Sequence, residues 1–186
     1  MSLRPALGLA AFAVASATLA SGARAQETSS PGAAFALPFG PVPKEIFGVP
    51  CEARPGDAEF APSLKCNGKD ALKEPGISVA VSDLPTRPTR ADLIARERKA
   101  FQYRPIFNII REEDFTPPGD PGAIGFRALY QTDFGNRYVW AVHSRGKLIR
   151  VLVLVFSPMD FAAMTADVEA KVFGLPPAPA AAWKDK

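Results

Sequence analysis

Few residues in this chain are of types that do chemistry. His143 is the single histidine, and Ser144 stands beside it, an adjacency that invites a base-and-nucleophile reading. Neighbours on a strand point to opposite faces, however, so on a strand these two cannot form a dyad. His143 then works with a distant partner or is an ordinary polar contact. Glu112, Glu113 and Asp114 make the densest carboxylate group, and Asp120 follows closely. If a strand runs through the three, Glu112 and Asp114 share one face. Their spacing is not that of an EF-hand loop, and the plainer reading is a solvated strand end. Gly119, Gly122 and Gly125 sit among prolines without the Lys-Ser/Thr of a phosphate loop, and no G-x-S-x-G occurs.

The one local charge imbalance is basic. Arg87, Arg90, Arg96, Arg98, Lys99 and Arg104 face only Asp92 and Glu97. On a helix, Arg96, Arg98 and Lys99 turn away from Leu93, Ile94 and Phe101 and point outward. They are the candidate binding residues, suited to an acidic envelope protein or an anionic membrane surface. The alternative is a solvated helix face. Tyr138 and Trp140 share one strand face, as a cleft wall or as core.

These groups depend on a scaffold that begins with an export signal. Arg4 precedes an uncharged apolar run over residues 6–20, and Ala23 and Ala25 fit an A-x-A cleavage site before Gln26. The run is mostly alanine and too short to span a membrane. Arg4 and Arg24 would leave with the signal, which takes the 22 basic residues to 20 against 19 acidic in a mature chain of 161. So balanced a chain lacks the signature of nucleic-acid binding. A periplasmic or secreted location also favours a disulfide between Cys51 and Cys66. Free thiols, a redox pair and a metal site are the competing readings, although the pair lacks the C-x-x-C spacing and a neighbouring histidine.

Residues 26–43 are rich in Ser, Gly, Pro and Ala, a flexible lead that Phe35, Leu37 and Phe39 can dock. Residues 47–74 hold both cysteines and three prolines without sustained periodicity, which predicts a loop-rich lobe stapled by the bridge. Alternation over 77–84 predicts a strand. Thr89 with Asp92 predicts a capped helix whose apolar face is Leu93, Ile94, Ala100 and Phe101, stopped by Pro105. Strands follow over 106–111, 124–132, 137–144 and 147–156, the last two joined by Arg145-Gly146. The unbroken apolar run 151–156 implies a strand covered on both faces. A final helix opens at Ser157 and Pro158, carries Phe161, Met164, Thr165, Val168 and Val172 inward, and ends at Gly174. An Ala/Pro-rich tail occupies 177–186.

The fold class is therefore α+β: a single domain over 44–176, an antiparallel sheet flanked by helices with a disulfide-stapled N-terminal lobe. The strand at 77–84, the Thr89-Arg90-Ala91-Asp92 helix start, the strand Gly125-Phe126-Arg127-Ala128-Leu129-Tyr130, the Arg145-Gly146 hairpin and the Ser157-Pro158-Met159-Asp160-Phe161 start together resemble the PsbP-like fold, over about residues 77–173. That resemblance implies an accessory or binding protein and brings no catalytic residues with it. The leading expectation is an exported, non-enzymatic accessory protein without cofactor or metal. A small-ligand or lipid binder would need an apolar cavity beside the sheet. A hydrolase-type enzyme would need His143 to meet the carboxylates at 112–114.

Overall fold

A computed structural model describes residues 34–57, 59–70, 72–101, 106–133, 135–156 and 159–176. The signal, the start of the lead, Pro105, Ser157, Pro158 and the tail lie outside the described residues.

Eight strands and two helices follow in the order β1 (Glu45–Ile46), β2 (Val49–Arg54), β3 (Ser63–Cys66), β4 (Gly76–Asp83), α1 (Arg90–Ala100), β5 (Ile106–Asp114), β6 (Ile124–Thr132), β7 (Gly135–Ser144), β8 (Lys147–Val155) and α2 (Phe161–Phe173). The strands form one sheet in the order β1-β2-β3-β4-β8-β7-β6-β5, antiparallel at every pairing. The class is α+β, as the element order predicts.

Local chemistry explains the element ends. Thr89 and Asp92 form a reciprocal capping box at α1, and Arg98 and Lys99 complement the helix dipole in its last turn. Asp160 caps α2 by accepting from the Ala163 amide at 2.9 Å, and Gly174 closes it in the left-handed conformation. This corrects the expected start: α2 begins at Phe161, with Asp160 as the cap itself. The two-residue turns Phe47-Gly48 and Arg145-Gly146 have positive φ at each position, the geometry that matches strand twist.

The two faces of the sheet carry separate cores. On one, Tyr138, Trp140, Ile149, Val151, Val153, Ile77 and Val79 pack beneath Met164, Val168, Val172 and Phe173 of α2. Phe35, Leu37 and Phe39 of the lead join this core, with the Phe39 ring 6.0 Å from Phe173. The β1–β2 hairpin also docks on α2, where Asp167 accepts the Phe47 amide at 2.5 Å. On the other face, Leu93 and Phe101 cover Phe126, Ala128, Tyr130, Val139 and Ala141.

Three expectations need correction. The segment read as loops contains β1, β2 and β3, which extend the sheet beyond β4; they span two, six and four residues, too few to display a period. Ala100 is exposed, and the buried positions within α1 are Leu93 and Glu97. Double-faced burial holds for β7, from Arg137 to Ser144, but only partly for β8, where Arg150, Leu152 and Leu154 are half-buried. The helix α1 lies chiefly over β6 and β7 and reaches β8 through the Glu97–Arg150 pair.

Cys51 and Cys66 are direct register partners and are bonded, which ties β2 to β3. The bridge closes a loop of separation 15. Reducing it is expected to lower unfolding free energy by about 3 kcal/mol. Urea denaturation with and without reductant measures this, and equal midpoints would mean the bridge leaves stability unchanged.

Candidate functional site

The carboxylate trio lies on β5, as alternation requires, and the strand divides it between the two faces. Glu112 and Asp114 point toward α1. Glu112 accepts from Arg98 at 3.1 Å and from the Tyr130 hydroxyl at 3.0 Å. Asp114 pairs with Arg90. The Arg98 guanidinium is held more firmly protonated, chiefly by its bond to Glu112. Tyr130 is pushed up from the usual phenol value by burial and then by the Glu112 charge. The basic helix and the acidic strand, two separate anomalies in the sequence, thus act as each other's counterions.

Glu113 turns to the opposite face. It accepts from Arg127 at 2.6 Å and from Arg111 at 3.0 Å. Arg127 reaches on to Glu169 of α2 at 2.6 Å, and the same Glu169 oxygen accepts the indole N–H of Trp140 at 3.0 Å. The Arg127 guanidinium also lies 5.9 Å from the Phe115 ring centre. The result is a largely buried line of alternating charges from β5 through β6 to α2. Glu169 and Glu97 carry no periodic signal in the sequence. Glu97, with its side chain 3% exposed, receives a two-pronged bond from Arg150 at 2.5 and 2.8 Å.

His143 is buried on the α1 face, and its Nε2 lies 2.8 Å from the Leu84 carbonyl. A carbonyl only accepts, so Nε2 carries the proton. Ser144, on the other face, donates to Asp120 at 2.6 Å, so the adjacent pair is split between faces as strand geometry dictates. Asp120 also accepts the Gly122 amide at 3.0 Å, while Arg87 donates to the Gly122 carbonyl at 3.0 Å and Arg145 to the Gly119 carbonyl at 3.3 Å. These bonds latch the loop before β6 onto the β7–β8 hairpin.

The carboxylates do not converge on His143. Asp114 is level with Ala141 across β6, two residues short of His143 and two strands away; that places their backbones about 12 Å apart. Glu112 is two residues further along β5. Each carboxylate is already bound to an arginine. Among the described residues, no group of three His, Cys, Asp or Glu side chains is placed to hold a metal ion, and no helix is long and apolar enough to cross a membrane. Tyr138 and Trp140 do share a face, and both are core: their ring centres lie 6.4 Å apart, and Phe161 is 5.1 Å from Tyr138.

The candidate binding residues divide as well. Arg98 is engaged by Glu112. Lys99 is exposed and Arg96 half-buried, both on the flank of α1 away from β5. Arg87 and Arg90 have internal partners, and Arg104 lies outside the described residues.

Two substitutions test this wiring. Truncating Glu97 to Ala leaves the half-exposed Arg150 charge without its carboxylate, at an expected cost of about 2 kcal/mol; a Glu97→Ala denaturation curve that overlays the parent would refute the pairing. The Asp120 carboxyl titrates below its usual value, first because of the Ser144 hydroxyl. A lowered folded-state value adds stability that is present above the unfolded value and lost as pH falls through the folded one. Asp120→Asn should therefore flatten part of the decline in melting temperature below about pH 4, and an unchanged profile would discount the Ser144 bond.

No protein-family model matches the chain, and no curated protein matches it. Among solved structures, the chain is similar to the solution structure of cyanobacterial PsbP (CyanoP) from Synechocystis sp. PCC 6803, with 15% identity over 63% of this chain and 86% of that one and a TM-score of 0.36. This is the family that the element order resembles; no residue role is carried over from it.

Proposed function

We propose that this is an exported, non-enzymatic accessory protein that docks an acidic envelope partner through the outer flank of α1. One observation carries the reading. The side chains that suggest catalysis are each engaged inside the fold: His143 by a backbone carbonyl, and Glu112, Glu113 and Asp114 by arginines. Arg96 and Lys99 stand on the flank that α1 turns away from β5. The Cys51–Cys66 bridge supports an oxidising compartment, where the chain would act after cleavage near Ala25.

Arg98 belongs to the fold rather than to the contact, because reversing its charge would set it against Glu112. The informative variant is Arg96→Glu with Lys99→Glu and Arg98 retained. It is expected to remain folded by circular dichroism and to lose salt-sensitive capture of the partner from an envelope extract. Capture at parental levels would exclude this surface.

A further inference from the structure

On the face that carries α1, the helix lies over β6 and β7, yet the sheet continues through β8, β4, β3 and β2. No described helix lies above that half. Register defines its surface: one row runs Val139, Leu152, Ser78, Lys65, Glu52, and the next runs Ala141, Arg150, Ala80, Ser63, Arg54. Beyond Arg150 and Leu152 the floor is therefore Ser78, Ala80 and Ser63, all half-buried and small.

The far rim carries two cations, Lys65 and Arg54, against one carboxylate, Glu52. Lys65 donates to the Ser78 hydroxyl at 2.7 Å. Burial, and then the Arg54 guanidinium, push the Lys65 ammonium below the usual lysine value. Glu52 reaches Arg54 at 3.5 Å from an exposed position. A half-buried cation beside a second cation is stabilised by an arriving carboxylate. The near rim is the flank of α1. At about 100° per residue, Arg96 and Lys99 fall on the side of the helix opposite Arg90 and Arg98, which are turned to β5. Three strand spacings separate β8 from β2, about 14 Å, and an α-helix is about 10–12 Å across.

We propose that this trough docks an acidic amphipathic helix of a partner protein, with its apolar face on Leu152, Ala80 and Ser78 and its carboxylates on Lys65, Arg54 and the α1 flank. The inference rests on the accessory-protein reading and supplies the partner's chemistry. The small floor lets a helix approach closely, and the half-buried Leu152 gives it apolar contact.

The test uses a stapled helical peptide of about 14 residues, leucine on one face and glutamate on the other, titrated into the isotope-labelled mature protein. Amide shifts are expected at Ser63, Lys65, Ser78 and Ala80, with affinity that falls as salt rises. Lys65→Glu and Arg54→Glu should each weaken binding about tenfold, and Ala80→Phe, which fills the floor without changing charge, should weaken it too. Circular dichroism and melting temperature confirm that each variant is folded. Shifts confined to other surfaces, indifference to Lys65→Glu, or binding to phosphatidylglycerol vesicles but not to the peptide would each overturn the proposal. If Arg96→Glu with Lys99→Glu abolishes partner capture while Lys65→Glu leaves it intact, the trough assignment falls and the accessory reading stands.

Discussion

Strand β7 is buried along its length from Arg137 to Ser144, and a polar atom buried there is costly unless it finds a partner. The Trp140 indole finds Glu169. A carboxylate under α2 then needs a cation, which Arg127 supplies from the neighbouring strand; Arg127 in turn lies against Glu113, and Glu113 against Arg111. One indole N–H thus fixes a sequence of four charges that ends at the sheet edge. On the other face, Arg137 lies 5.1 Å from the Phe101 ring centre and His143 meets Leu84. The side chains with the greatest catalytic potential are parts of this compensation.

The same logic governs α1. Its buried Glu97 is answered by Arg150, and its Arg90 and Arg98 answer the carboxylates of β5. The helix is held to its half of the sheet by polar bonds along both flanks as well as by Leu93. Burying ions is costly unless the geometry is good and the remaining hydrogen bonds are made, so these pairs fix where α1 sits more than they add stability. Among the described residues, that placement leaves the β8–β4–β3–β2 half of the face without a helix.

Much of the scaffold was legible in the sequence because its elements are long enough to show a period: β4, β6, β7, β8, the Thr89–Asp92 box and the turn at Arg145 and Gly146 all fall where the pattern puts them. The strands β1 to β3 do not show, because a run such as Ser63-Leu64-Lys65-Cys66 alternates through only two cycles. The disulfide was foreseeable from the cysteine count and the expected compartment, but not its position between register partners. The charges were all visible individually, and their partners were not, because Glu97 and Arg150 are 53 residues apart and Arg127 and Glu169 are 42 apart. The apolar run of β8 promised cover on both faces, yet the reach of α1 depends on those same distant pairs.

The joint between β4 and β8 has a temporal side. Asp83 pairs with Lys147, so β4 waits for a strand made 64 residues later, whereas β2, β3 and β4 join through neighbouring loops, and β5 to β8 form a local meander. A chain that emerges amino terminus first completes β4 while its inner edge is still unpaired. Two half-sheets, each built from short-range contacts, meet last along one long-range seam. The cystine lies wholly within the earlier half, where it can close before the long-range seam forms.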